Sequence, residues 1–390
     1  MKINLKNINK KKTIITFIII FIFVAILIAC SHRENYKELT IIYDNNFIEL
    51  KNIPIVEKNE IIYFSKDDIF ELFDKNIYYN EIDEQLITTY NKHIAVLQKG
   101  EKTAEINDEK IDILGELKEI DNNIYLPISD LANVYDLEIK FSQKSNRIIM
   151  DSLNHEKTES YVKQRTSLRN GKGIFSKRIE TLIIGDKLVV IESNGNYKKV
   201  RSPLGNIGYV KVSKLSEEEK IRETYIDSVL SLNPYFNYSN ASGIYDDIEV
   251  DSNKRNVVLP EFFVLEKDDK LLDKTNINTA IFSIYKNWAE RNSLEMLPTI
   301  TNSVPISDSL VTYSQRSKII NELKKKVVEY HFWGININFK TIDDFNSFYR
   351  FIIELTPRFK AEDVKVIVTI NNNNIERNKI DKIVDCIIEE

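Results

Sequence analysis

The sequence predicts a multidomain chain in three parts: a duplicated α+β domain, a small closed β-barrel and an incomplete (β/α) barrel. Three observations predict it. A pattern of about thirty residues occurs twice at a constant offset, a following stretch sets short strands between glycine-bearing turns, and the last third alternates apolar strand-length runs with amphipathic helices. At 390 residues the chain is long enough for two or three domains with their own cores.

Bulk composition narrows the function. Lys and Arg total 54 against 59 Asp and Glu, a net charge of −5, so a nucleic-acid partner is not expected. Only Cys30 and Cys386 are present, which leaves no disulfide framework. His32, His93, His155 and His331 are scattered, and neither a metal site nor a cofactor is expected.

Residues 1–30 read as a signal peptide or membrane anchor. "MKINLKNINKKK" (1–12) is basic and "TIITFIIIFIFVAILIA" (13–29) is apolar throughout. As a helix those 17 residues span about 26 Å, borderline for crossing a bilayer. "LIAC" resembles a bacterial lipobox, which implies lipidation at Cys30. The apolar run also exceeds the usual signal-peptide core, which favours an uncleaved anchor. Either way the basic flank stays inside, and residues 31–390 are expected at the extracytoplasmic face of the cell membrane, tethered through the N-terminus.

Residues 35–152 contain the duplication. "EIIYFSKDDIFELFDKNIYYNEIDEQLITT" (60–89) lies over "NNIYLPISDLANVYDLEIKFSQKSNRIIMD" (122–151) at an offset of 62 without a gap. Tyr63 falls on Tyr125, Asp68 on Asp130, Asp74 on Asp136 and Ile87 on Ile149. Each copy reads as a strand, a helix of one or two turns and a hairpin, and neither buries its apolar face alone. The pattern resembles the copper-amine-oxidase N-terminal-like domain of secreted proteins. That resemblance implies a structural stalk, with no copper despite the name.

Residues 157–216 place short strands between Gly-Asp, Asn-Gly and Leu-Gly turns, which needs closure to hide strand edges. Leu168-Arg169, Gly185-Asp186, Tyr197 with Val200, and Gly205 with Gly208-Tyr209-Val210 resemble the bacterial SH3-like domain. The resemblance implies a spacer or a cell-wall-binding module. Residues 217–254 read as a connector, with an acidic helix expected over 216–230.

In residues 255–390 the expected strands are 256–265, 294–300, 332–339 and 364–370, with "SLNPYFNYSN" (231–240) as a weak earlier one. Helices are expected over 278–292, 316–332 and 343–360. This is the alternation of parallel βα units and of a TIM-type barrel. The segment resembles part of a family 18 glycoside hydrolase of the cell-wall and spore-cortex type. Relatives carry a strand of the form Asp-Gly-Ile-Asn-Ile-Asp-Phe-Glu, and here "WGININFK" (333–340) stands in its place. By that resemblance the last Glu would protonate the glycosidic oxygen and the preceding Asp would orient the substrate's N-acetyl group. Trp333, Asn338 and Lys340 occupy the acidic positions, and Asn336 is an amide that relatives tolerate.

These substitutions set the expectation. A general acid must hand over a proton, an amide has none to give, and an ammonium ordinarily keeps its proton far above neutral pH. Asp343 and Asp344 are expected at the start of the next helix, away from the site. The segment also supplies fewer residues than eight βα units require, and "KIVDCIIEE" falls where relatives begin the sixth strand. The expected function is a catalytically inactive, wall-associated protein whose partner is peptidoglycan or another N-acetylglucosamine-containing glycan. The alternative is residual N-acetylglucosaminidase activity on peptidoglycan or chitin-like glycans.

Overall fold

The computed structural model describes residues 38–173, 175–222, 230–235, 249–275, 280–370 and 376–390. The leader with Cys30, and most of the expected connector, lie outside these residues. No helix among the described residues is long and apolar enough to cross a membrane. The chain forms two compact units: residues up to 49 with 141–149 and 160–217, and residues 50–140, 150–159 and 218–390. They cut across the segments drawn from sequence.

In the smaller unit, strands Thr40–Tyr43 and Asn46–Ile48 form a hairpin whose turn residues Asp44 and Asn45 both have positive φ. Asp and Asn tolerate that conformation because their short side chains bond locally. Strands Thr166–Arg169, Arg178–Leu182, Lys187–Asn194, Tyr197–Arg201 and Ile207–Lys211 pair antiparallel around Val162, Leu168, Leu182, Leu188, Val200, Val210 and Leu215. Gly208 is required here, since a Cβ on it would stand 2.4 Å from the Arg169 carbonyl oxygen.

In the larger unit, the first strands of the two copies pair with each other. Ile62–Ser65 runs antiparallel to Asn123–Pro127 with Phe64 opposite Leu126, its own equivalent at the offset of 62. A local two-fold axis therefore passes between these residues. Asp68 accepts the N–H groups of Lys51 (2.7 Å) and Asn52 (3.3 Å), and Asp130 accepts those of Leu114 (2.9 Å) and Gly115 (2.8 Å). The repeated aspartate thus fixes the loop before each copy. The copies differ in their helices. Ser65 caps helix Lys66–Leu72 by accepting from the Asp68 N–H, while its equivalent is Pro127 and residues 128–136 form successive turns. The helix expected in the second copy is absent because its cap is.

Residues 216–222 are not helical as expected from sequence: Glu219–Arg222 is a strand paired antiparallel with Lys157–Glu159. Beyond it, strands Leu232–Tyr235, Arg255–Val258 and Glu295–Met296 are parallel. Glu261–Glu266, Thr299–Asn302, Gly334–Ile337, Lys365–Ile370 and Cys386–Glu389 continue the parallel order. Pro260, which cannot donate to a ladder, separates the two pieces of the second strand. A hairpin missed from sequence adds Lys270–Asp273 antiparallel to Glu261–Glu266.

Helices Ala280–Arg291, Tyr313–Glu329 and Phe345–Lys360 connect these strands. The second starts before its expected position because Thr312 and Gln315 form a reciprocal capping box. The third is buried on nearly every side from Phe351 to Phe359. One side packs on the parallel sheet and another on strand Gln85–Tyr90, at the end of the first copy, and on His93–Gln98, which follows it.

That second contact is held by buried charge. Arg316 Nε lies 3.0 Å from both carboxylate oxygens of Glu354, and its Nη1 donates to the carbonyls of Leu310 (3.0 Å) and Val311 (2.7 Å). The Tyr78 hydroxyl donates to Glu354 Oε1 at 2.5 Å and accepts from Arg316 Nη2 at 3.1 Å. Burial, then the Glu354 charge, raises the Tyr78 phenol above its ordinary value. Arg358 donates to Asp108 (2.7 Å) and to the Tyr313 hydroxyl (2.9 Å), and Lys324 also reaches Asp108 (2.7 Å). Burial would raise the Asp108 carboxyl, but Arg358 and Lys324 outweigh it and hold it below its usual range.

Two measurements check this. Arg316→Ala should lower the unfolding free energy in urea by about 3–5 kcal/mol, because it strands a buried carboxylate. A loss below about 1 kcal/mol would refute the assignment. Asp74 supplies a pH signature. Burial lifts its carboxyl to about 6, against hydrogen bonds from the Thr88 hydroxyl and the Thr89 and Asn76 N–H groups. A folded-state value above the unfolded one means this contribution is full below about pH 4 and is lost as pH rises through about 6, a change of roughly 3 kcal/mol. Asp74→Asn should flatten that part of the stability–pH curve.

Candidate functional site

The candidate site is the polar face at the carboxyl ends of the parallel strands. Alternation along the chain puts Ile335, Ile337 and Phe339 in the core beneath the helices, where Phe339 packs on Phe348 and Phe351 at ring-centroid distances of 5.9 and 5.6 Å. Asn336, Asn338 and Lys340 alternate with them. Asn336 and Asn338 are fully buried, and Lys340 is exposed.

Asn336 bridges its neighbours. Its Nδ2 donates to Thr299 Oγ1 at 3.1 Å on one side, and its Oδ1 accepts from Thr369 Oγ1 at 2.8 Å on the other. Asn338 Nδ2 donates to Glu390 Oε2 at 3.2 Å, and Lys340 Nζ donates to the same oxygen at 2.9 Å. A single carboxylate oxygen therefore joins the two positions where the resembled motif carries its last two acids. Asn302 fixes the backbone beyond them: its Oδ1 accepts from the Lys340 N–H at 2.6 Å and its Nδ2 donates to the Thr341 carbonyl at 2.8 Å. Nearby, Thr301 donates to Glu261 at 3.0 Å, and Glu261 pairs with Lys274 at 2.5 Å.

The remaining candidates lie apart from this network. Trp333 sits among Leu232, Val257, Leu297 and Ile367, with the Arg255 guanidinium 3.9 Å from its ring centre. Asp344 caps the Phe345–Lys360 helix by accepting from the Asn346 and Ser347 N–H groups, and Asp343 accepts from the Ser307 N–H at 3.1 Å. The Ser347 hydroxyl lowers the Asp344 carboxyl and the Ser307 hydroxyl lowers that of Asp343. Both aspartates are occupied in holding backbone. Glu390, Asn302, Thr299 and Thr369 were not identified from sequence. Thr299 and Thr369 carry a usable signal, a polar residue at alternate positions of apolar strands. Glu390 carries none.

With this geometry established, comparison with known proteins gives one family match and a set of partial structural likenesses. Residues 42–150 match the copper amine oxidase N-terminal domain. No curated protein matches the chain. A class V chitinase from Pseudomonas fluorescens is similar at 19% identity and a TM-score of 0.31, over 35% of this chain and 46% of that one. A chitinase from Chromobacterium violaceum gives 17% and 0.28, over 34% and 47%. A Bacillus subtilis glycosylase described as sporulation-specific gives 16% and 0.29, over 34% and 48%. The chain thus spans about half the length of each.

Asn336→Ala should destabilise the chain by about 2–4 kcal/mol in denaturant unfolding, since it leaves the buried hydroxyls of Thr299 and Thr369 without their shared partner. Thr369→Val with Asn336→Leu should cost less than the two single changes summed. Additive losses would show that the three groups do not act as one network.

Proposed function

We propose that this is a glycan-associated protein of the extracytoplasmic face, tethered through residues 1–30, with a catalytically inactive, family 18-like partial (β/α) barrel. In this reading the antiparallel strands of 160–217 form an SH3-like module. The copper-amine-oxidase-like segment braces the barrel as well as spacing it from the membrane. The resemblance of "WGININFK" and its flanks to the family's active-site strand supports the glycan class. The pairing of Asn338 and Lys340 with one oxygen of Glu390 is the observation that carries the inactivity.

The chemistry follows from these groups. Substrate-assisted hydrolysis needs an acid at the glycosidic oxygen and a carboxylate that stabilises the charge developing on the N-acetyl group. Asn338 offers an amide where that carboxylate would act, and Lys340 spends its ammonium on an ion pair. Loss of the general acid alone lowers rates by about 10²–10⁴. Lys340, the exposed member of the three, can still bond a sugar hydroxyl or an acetamido carbonyl, so a glycan contact does not need the missing acid. The partner is peptidoglycan or another polymer containing N-acetylglucosamine.

The alternative, residual N-acetylglucosaminidase activity, draws on Glu390, the carboxylate that contacts the motif strand. One experiment separates the readings. The purified chain is incubated with chitin oligomers and peptidoglycan, and released reducing ends and retained protein are both measured. The expected outcome is retention on the polymer with no release above background. Release abolished by Glu390→Gln or Lys340→Ala would establish the hydrolase reading, and absence of both retention and release would sink the glycan assignment.

A further inference from the structure

The whole-chain charge of −5 conceals a strongly basic region: residues 160–217 hold twelve Lys and Arg against four Asp and Glu, a net of +8. Strand register shows where part of that charge lies. Arg178 stands opposite Arg169, Arg169 opposite Tyr209, and Tyr209 opposite Lys199, so one row crosses four neighbouring strands on one face. The next row pairs Tyr197 with Lys211. The other face carries Leu168, Val200 and Val210 into the core, which makes the basic row the outer one. Lys172 extends it, with its ammonium 5.4 Å from the Tyr209 ring centre. Among the described residues no carboxylate pairs with Arg178, Lys199 or Lys211; Glu192, opposite Lys199 at the end of the row, is the nearest acid by register.

A soluble polyanion and an anionic membrane would both suit such a face, and two observations favour the membrane. Phe175, between Lys172 and Lys177 in the loop joining two of these strands, is 97% exposed. A bare aromatic ring flanked by cations suits an interface with an apolar layer behind its charges, and gains nothing from a soluble chain of phosphates. Seven residues separate Cys30 from Glu38, a reach of at most about 25–30 Å, and residues 38–49 belong to the same compact unit as the basic face. We propose that the outer face formed by Arg169, Lys172, Arg178, Lys199, Lys211 and Phe175 docks on anionic phospholipid headgroups. The choice of lipid rests in part on the tether reading; the basic face does not.

The test uses the full chain with vesicles of phosphatidylcholine alone or mixed with phosphatidylglycerol. Flotation and modification of lysines by a membrane-impermeant amine reagent are both read. Lys172, Lys199 and Lys211 should be modified beside neutral vesicles, protected beside anionic ones, and exposed again at high salt. Each cation near such a surface contributes roughly fivefold to binding, so Arg178→Gln with Lys199→Gln and Lys211→Gln should weaken the anionic-specific part on the order of a hundredfold. Phe175→Ser should weaken the lysine protection given by anionic vesicles and leave binding to inorganic polyphosphate unchanged; this single loop change decides the matter if the triple variant misfolds. Equal modification beside both vesicles overturns the proposal. Protection by polyphosphate or an oligonucleotide exceeding that by anionic vesicles, with Phe175→Ser indifferent, assigns the face to a soluble polyanion and overturns it too. Failure to float with neutral vesicles would sink the tether reading alone, because protection beside anionic vesicles is scored separately.

Discussion

The buried pair between Arg316 and Glu354 is the constraint on which the larger unit depends. Removing a guanidinium and a carboxylate from water costs several kcal/mol per ion, and their attraction compensates only when the remaining donors and acceptors are satisfied. Here they are satisfied by groups from three separate places: the two helices, the carbonyls of Leu310 and Val311, and the Tyr78 hydroxyl from the first copy of the repeat. The network therefore ties the first copy of the repeat to the helices over the parallel sheet, which it braces.

The brace has a consequence for the site. An outer helix of a βα layer normally leaves one side in water, but Phe345–Lys360 has little exposed surface after Phe351. It is pinned between the first copy's sheet and the core residues Ile335, Ile337 and Phe339. The strand beneath it takes its position from that packing, and Asn336 fixes the spacing to the strands on either side. The polar face is consequently built on rigid elements, which holds its side chains in one geometry.

The duplication was legible because its offset is constant and its apolar alternation strong. The pairing of Phe64 with Leu126 was not, because pseudo-symmetry belongs to the fold and leaves no local pattern. The loss of the second helix could have been read from Pro127 standing where Ser65 caps the first. At the site, the polar positions Asn336, Asn338 and Lys340 were visible by alternation. Their partners Thr299, Thr369 and Glu390 come from strands distant in sequence, and only the parallel register brings them together. The burial of Glu354 and Arg358 was invisible for a related reason: in a helix, a charged residue reads as solvated until a partner surface is known. The basic face was hidden by an opposite excess elsewhere in the chain.

A working catalytic mouth holds charges aimed at substrate, and such groups cost stability because the protein leaves them unsatisfied until the substrate arrives. The opposite condition holds here. Asn336 is bonded on both sides, Asn338 and Lys340 share the Glu390 oxygen, and Asn302 fixes the backbone between strand and helix. A neutral amide at a buried position carries no charge to desolvate, and Lys340 at the rim pairs with the Glu390 carboxylate. With these side chains at the three alternating positions, the face is internally satisfied. A face whose buried amides are already bonded is a rigid structural element, and of its three alternating polar side chains Lys340 is the one that reaches solvent.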